Sequence, residues 1–113
     1  MADKFLTEKE RDEIIAKNLG IMKIMVGNMS RLIFPIENMT PDLSSKMEKF
    51  LIKVKRINNM IDEAIEKLNT CKTEGEINHI FIIYRYQYGL DELWYEIIDE
   101  HAKILDEIWG KRR

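Results

Sequence analysis

Histidine and acidic side chains are the residues of this chain that could hold a metal ion. Glu76-x-x-His79 has the i, i+3 spacing with which helices present a carboxylate and an imidazole to a carboxylate-bridged di-iron centre. Such a centre needs two of these pairs and two further inward glutamates, whereas Ile98 stands three residues before His101. We therefore predict that Glu76 caps a helix, that His79 lies at the surface, and that the chain has no metal site and no cofactor.

Acidic residues also recur at helical spacing in two segments, Asp62-Glu63-x-x-Glu66 and Glu96-x-x-Asp99. This pattern is similar to that of the all-α nucleoside-triphosphate pyrophosphohydrolases, the MazG-like enzymes. The resemblance implies an Mg-dependent nucleotide pyrophosphohydrolase, in which these carboxylates hold magnesium against a polyphosphate. On the residues alone, the acids form a solvated helix face, because the apolar residues of the first segment take its inward positions and turn Glu63 and Glu66 outward.

Nucleophilic catalysis has little support in the sequence. Cys71 is the single cysteine and has no histidine beside it, and the chain contains neither a G-x-S-x-G elbow nor a glycine-rich phosphate loop. His101 falls in an apolar row between Ile97 and Ile104, so we expect a buried, hydrogen-bonded, neutral side chain with a structural role. We therefore predict a protein without enzymatic activity.

Basic side chains form a regular stripe along one helix, because Lys46, Lys49, Lys53 and Arg56 recur at steps of three, four and three. Such a stripe is an electrostatic footprint for phosphates. These four residues are therefore the predicted contacts of an alternative function, that of a nucleic-acid-binding accessory protein. The favoured interpretation is structural: the lysine stems cover the edges of an apolar seam, and their ammonium groups pair with acids of the next helix.

Aromatic side chains are concentrated between residues 81 and 95, where apolar or aromatic groups point in all directions around a helix. A helix of this kind is buried from more than one side, and tyrosine, tryptophan and arginine are enriched at protein interfaces. We predict a protein interface here, with a helix central to its own bundle as the alternative. The predicted interface residues are Phe81, Tyr84, Arg85, Tyr86, Tyr88, Trp94 and Tyr95.

Apolar repeats predict the elements that position these residues. Within residues 43–68 the steps between apolar positions alternate between four and three without interruption, which predicts one long helix with a single packing seam. Thr40-Pro41-Asp42 predicts the start of this helix. A similar repeat from Ile15 to Ile33 predicts an earlier helix, begun by Thr7 and ended by Pro35. The seam of the long helix consists of Leu43, Met47, Phe50, Val54, Ile57, Ile61, Ala64 and Leu68.

Two features leave structural alternatives open. Gly20 and Gly27 inside the first helix predict either a close approach by another helix or a kink. The segment 77–88 alternates as a strand does, yet it also has apolar helical faces. We predict a helix, begun by Thr73 and kinked or broken at Gly89, because a lone strand would leave its backbone groups unpaired.

The predicted fold is all-α: a single domain over residues 1–113, built as an antiparallel bundle of three long helices, the third kinked or split near Gly89 to give four. A net charge of −2 gives no global attraction to nucleic acid. With one cysteine, no apolar stretch of membrane-spanning length and no visible signal peptide, we expect a cytoplasmic protein without a membrane partner.

The predicted function is that of a non-enzymatic accessory protein that presents a helical surface to a protein partner. Surplus apolar surface on the predicted helices favours a homodimer. The chain has 18 isoleucines and only four alanines, a bias typical of an AT-rich genome such as that of a phage. A phage- or virus-encoded modulator is therefore one form of this hypothesis.

Overall fold

The computed structural model describes residues 3–31 and 40–110, which are helical apart from short connections and contain no strand. The predicted all-α fold is confirmed. Two π-helical turns interrupt the regular α-helical geometry of the described residues without ending the helices they belong to. The segments therefore form four continuous helical rods. In chain order the segments are α1 (Glu8–Ile15), a π turn (Ala16–Gly20), α2 (Ile21–Arg31), α3 (Pro41–Leu68), α4 (Glu74–Ile82), a second π turn (Ile83–Gln87) and α5 (Leu90–Gly110).

Thr7 begins the first rod through the predicted capping box. The Glu10 backbone N–H donates to the Thr7 hydroxyl at 3.1 Å, and the Thr7 backbone N–H donates to the Glu10 carboxylate at 3.1 Å. The apolar side of the rod then faces α3, as its repeat predicts. Its buried residues are Ile15, Leu19 and Val26.

Glycines stand inside this rod without another helix against them. Gly20 closes the π turn, and a Cβ at this position would meet only atoms of its own rod within 4 Å. A Cβ at Gly27 would meet nothing within 4 Å. These two glycines therefore do not serve to let another described helix approach closely. The predicted seam residue Ile33 and the predicted helix end at Pro35 lie outside the described residues.

The long helix α3 has the predicted bounds and the predicted seam. The Thr40 hydroxyl accepts a backbone N–H hydrogen bond of 3.1 Å, and Pro41 occupies the first helical position, where its missing N–H costs nothing. All eight predicted seam residues are buried, and Phe50, Ile57 and Ile61 are 0% exposed. The prediction of one unbroken helix over this segment is confirmed.

The segment 77–88 is helical, which confirms the helix over the strand. Gly89 has a φ of +77°, a left-handed conformation that glycine adopts readily, and it separates the second π turn from α5 as predicted. The Glu76 backbone N–H donates to the Thr73 hydroxyl at 3.2 Å. The Glu76 carboxylate accepts from the Lys72 backbone N–H at 3.1 Å, so only half of the capping box forms at this helix.

The helix α5 packs antiparallel along the N-terminal half of α3. The Lys46 ammonium lies 3.0 Å from the Glu107 carboxylate, and further along α3 the Lys53 ammonium lies 3.7 Å from the Glu96 carboxylate. Between these ion pairs the two apolar seams meet. The buried residues that α5 contributes are Leu90, Leu93, Ile97 and Ile104.

The C-terminal half of α3 is covered by other elements. The Tyr84 hydroxyl, in the second π turn, donates to the Glu63 carboxylate at 2.9 Å. On another side, Lys23 of α2 forms an ion pair with Asp62 of α3. Different helices therefore cover the N-terminal and the C-terminal half of α3. The molecule is elongated, with extents of 59 × 25 × 20 Å.

An N-terminal strap, residues 3–6, lies across the start of α4. The sequence did not predict this strap. Phe5 and Thr73 form an isolated antiparallel bridge, and the Gly75 backbone N–H donates to the Asp3 carboxylate at 2.9 Å. Hydrogen bonds from the Thr73 hydroxyl and from Gly75 lower the pKa of Asp3. The Asp3 carboxylate of the strap thus caps the N-terminus of α4 in addition to the Thr73 hydroxyl.

We expect substitutions in the α3 seam to destabilise the fold strongly. Phe50→Ala or Ile57→Ala should each lower the free energy of unfolding by about 2–5 kcal/mol, because each leaves a cavity at a fully buried position. Urea denaturation at low protein concentration measures this loss. Ile24→Ala is the matched control, since Ile24 is 65% exposed and should change stability by less than about 0.5 kcal/mol. Equal losses in the core and control variants would contradict the assigned core.

Candidate interaction surface

The second π turn carries one aromatic side chain that faces the core and another that faces solvent. The Tyr88 backbone N–H donates to the Ile83 carbonyl at 2.9 Å, the i to i−5 bond of a π turn. The extra residue in this turn rotates the following side chains relative to those of α4. Tyr84 is 1% exposed, whereas Tyr86, two residues on and therefore on nearly the opposite side of the helix, is 70% exposed and Tyr88 is 52% exposed.

Tyr84 anchors the turn in the core, so this member of the predicted interface is not available to a partner. Its hydroxyl donates to Glu63, and the Lys67 ammonium lies 5.4 Å from the centre of its ring. The Tyr88 ring packs edge-on against it with the ring centres 5.0 Å apart. Burial raises the pKa of the Tyr84 hydroxyl, which therefore stays a hydrogen-bond donor at neutral pH.

Arg85 fixes the orientation of α5 relative to the π turn. Its guanidinium Nε lies 2.9 Å from the Asp91 carboxylate, across the break at Gly89. The hydrogen bond that Arg85 donates to Asp91 raises the pKa of Arg85, and the phenolic groups of Tyr86 and Tyr95 act in the same direction. Arg85 therefore interacts electrostatically with both tyrosines, one from the π turn and one from α5.

Three of the predicted interface residues thus form a candidate site. We call Tyr86 and Tyr95, each 70% exposed, together with the half-buried Arg85 that interacts electrostatically with both, the tyrosine surface. Ile82, in the preceding turn of α4, is also 50% exposed. The other predicted members lie apart from this site: Tyr88 packs on Tyr84, and Phe81 and Trp94 are half-buried against the core.

The basic stripe is divided by ion pairing. Lys46 lies 3.0 Å from Glu107 and 3.1 Å from Asp42, and a hydrogen bond to Glu107 raises its pKa. Lys53 bridges to Glu96 and Glu100 of α5, and the hydrogen bond to Glu100 raises its pKa. For these two lysines the structural interpretation is confirmed, because they pair with acids of the next helix. Lys49 and Arg56 are exposed and have no ion pair within residues 3–31 and 40–110.

The acids of the MazG-like pattern are not brought together. Asp62 pairs with Lys23, Glu63 accepts from Tyr84, and Asp99 lies 2.9 Å from Lys103. Within the described residues, no three or more histidine, cysteine, aspartate or glutamate side chains are grouped so that they could hold a metal ion. The Glu76 carboxylate instead accepts from a backbone N–H and His79 is exposed, as predicted for both.

His101 lies against the core as predicted, but its expected hydrogen bond is absent at one nitrogen. Its ring centre is 5.8 Å from that of Phe50, and Nε2 is buried without a hydrogen-bond partner in the described part of the chain. This burial lowers the pKa of His101. Cys71 is also buried, with its pKa raised by burial, and its Sγ lies 3.6 Å from the Lys67 carbonyl oxygen.

Comparison with models of known protein families, with curated proteins and with solved structures found no match in any of the three. Among the helices of the described residues, none combines the length and the apolar character needed to cross a membrane.

We expect stability to fall on acidification because of His101. The unfolded chain takes up a proton near the ordinary imidazole pKa of 6.5, whereas the folded protein does so only at a lower pH. The contribution of the neutral side chain is therefore complete above 6.5 and decreases as the pH falls from 6.5 towards the lowered pKa. Urea denaturation at a series of pH values should show a smaller decrease for His101→Gln than for the unsubstituted protein.

The matched control for this experiment is His79→Gln, which alters the exposed histidine. It should retain the full decrease in stability. The same decrease in the His101→Gln protein would show that another group causes the pH dependence.

Proposed function

We propose that this chain is a non-enzymatic interaction protein that binds a protein partner through the tyrosine surface. The observation that carries the proposal is the exposure of Tyr86 and Tyr95, both of which interact electrostatically with Arg85. The chain has a buried core that could hold aromatic rings, yet these two rings remain 70% exposed. Tyrosine contributes a large apolar ring and a hydroxyl at a small entropic cost, which suits it to contacts between proteins.

The electrostatics of the tyrosine surface favour a partner with an apolar or aromatic face. The charge of Arg85 is already neutralised by Asp91 at 2.9 Å, so the site offers no unpaired cation to an acidic ligand. The salt bridge also links the π turn, which carries Tyr86, to the first turn of α5, the helix that carries Tyr95. A preformed surface of this kind binds with little loss of conformational freedom.

Self-association is the second part of the proposal. Apolar side chains are also exposed far from the tyrosine surface in sequence, with Leu51 and Ile52 exposed by 44% and 62%. A closed two-fold dimer is the commonest way in which proteins cover such surface. We further propose that the protein acts in the cytoplasm, where its single cysteine stays reduced, and that a virus-encoded modulator is one form of this role.

Loss of the tyrosine surface should abolish partner binding without unfolding the protein. We expect Tyr86→Ala combined with Tyr95→Ala to weaken binding of a partner recovered from the native host by at least about tenfold, because both rings are exposed anchors. Affinity capture followed by a titration of the purified partner measures the effect. Circular dichroism checks that the variant keeps its helical content.

The control for this test is Ile24→Ala, which removes a similarly exposed apolar side chain from α2. It should bind the partner as the unsubstituted protein does. Equal binding by the double tyrosine variant would overturn the assignment of the surface, and recovery of no partner that depends on Tyr86 and Tyr95 would do the same.

Binding to nucleic acid is the alternative function, and the exposed Lys49 and Arg56 are the side chains that it would use. Because Lys46 and Lys53 are engaged by acids of α5, we expect no retention on a DNA column at about 0.15 M salt. Tight retention that is lost in Lys49→Glu combined with Arg56→Glu would overturn this expectation. Those two substitutions leave the ion pairs between α3 and α5 unchanged.

A further inference from the structure

The N-terminal half of α3 carries a second regular face, on the side that does not meet α5. Its residues follow one another at steps of four, three, one, three and four, so the spacing is the same in both directions along the helix. At 100° per residue they occupy a strip about 100° wide. All of them are exposed, and they are Ser44, Glu48, Leu51, Ile52, Lys55 and Asn59, which we call the palindromic face.

The centre of the palindromic face is apolar and its flanks carry opposite charges. Leu51 and Ile52 are 44% and 62% exposed, with Glu48 one turn before them and Lys55 one turn after them. The shallow depression around the two apolar residues is lined, among the described residues, entirely by α3. Neither Glu48 nor Lys55 has an ion pair within residues 3–31 and 40–110, whereas Lys46 and Lys53 on the other side of α3 do.

This arrangement is complementary to itself when two copies of the helix run antiparallel. A two-fold axis between Leu51 and Ile52 places each apolar residue opposite its counterpart in the second copy. The same axis places Glu48 opposite the partner's Lys55 and Lys55 opposite the partner's Glu48, so two ion pairs form. A parallel arrangement would instead place Glu48 against the partner's Glu48 and Lys55 against the partner's Lys55, which is repulsive.

We propose that the palindromic face binds a second copy of this chain, with the two α3 helices antiparallel about a two-fold axis at Leu51 and Ile52. The proposal rests on the self-association part of the proposed function and is independent of the tyrosine surface. The charge pattern selects this occupant, because a face that complements its own reverse meets the requirement of an isologous contact. The tyrosine surface remains exposed for a different protein.

The contact is small, so the dimer is reversible. From Ser44 to Asn59 the face extends about 22 Å along each helix, which gives an interface at the low end of the range for specific complexes. We therefore expect a concentration-dependent mixture of monomer and dimer at tens to hundreds of micromolar. Sedimentation equilibrium should show a mass rising from 13.5 kDa towards twice that value.

Charge reversal tests the register of the two helices. Glu48→Lys alone and Lys55→Glu alone should each weaken the dimer about tenfold at low salt, because each creates two like-charge contacts across the axis. The double variant Glu48→Lys with Lys55→Glu restores opposite charges at both contacts and should regain the original affinity within about threefold. Glu66→Lys, an equal charge change at an exposed position of α3 outside the palindromic face, should leave the affinity unchanged.

Cysteine cross-linking tests the antiparallel direction. In Leu51→Cys the two introduced thiols lie beside the axis, so mild oxidation should give a covalent dimer. In Glu66→Cys the two thiols of an antiparallel pair are about 40 Å apart and should not cross-link, whereas a parallel pair would cross-link them readily. The native Cys71 is buried, so the unsubstituted protein is the control for background oxidation.

The possible results separate this inference from the wider proposal. A dimer that is insensitive to Glu48→Lys, or one that cross-links through Glu66→Cys, would overturn the antiparallel pairing and leave self-association in place. A mass of 13.5 kDa at every concentration up to about 0.5 mM would overturn both. Neither result bears on partner binding through Tyr86 and Tyr95, which the alanine variants test separately.

Discussion

The arrangement of the helices depends on burying one apolar seam, which runs without interruption along the 28 residues of α3. At 1.5 Å per residue this helix is about 42 Å long, longer than any other helix of the described chain. The 21 residues of α5 reach only its N-terminal half, and α1, α2 and α4 cover the other half. The chain from the second π turn to the end of α5 therefore runs in one direction along α3, antiparallel to it, and is interrupted at Gly89.

The proposed binding surface lies beside the second π turn and the break at Gly89. Tyr84 and Tyr86 are two residues apart and point to nearly opposite sides of the helix, which places the first in the core and the second in solvent. Tyr84 then fixes the turn to α3 through Glu63, and Arg85 fixes it to α5 through Asp91. The segments that carry the exposed rings of Tyr86 and Tyr95 are thus joined to α3 and to each other by partly buried hydrogen bonds.

The charged residues of α3, like its apolar residues, lie both on the side that faces α5 and on the outer side of the helix. On the side facing α5, lysines pair with glutamates across the helix interface, and Lys46 and Lys53 are used there. On the outer side, Glu48 and Lys55 stand on either side of Leu51 and Ile52 with no ion pair among the described residues. The helix α3 therefore has three different sides. One is the apolar seam in the core, the second carries the lysines that pair with α5, and the third is the outer face, whose charges complement those of an antiparallel second copy.

The sequence alone determined the helix bounds and the inward face of α3, because an uninterrupted repeat of four and three and the caps at Thr7, Thr40 and Thr73 are local properties. It also determined the break at Gly89, which needs a positive φ. Only the tertiary structure decided that Tyr84 is buried while Tyr86 and Tyr95 are exposed, and that Lys46 and Lys53 are paired while Lys49 and Arg56 are not. These outcomes depend on which side of the helix that carries Tyr84 packs against α3 and on the register of α5 against α3. Both are set by contacts between residues distant in sequence, which a local pattern does not contain.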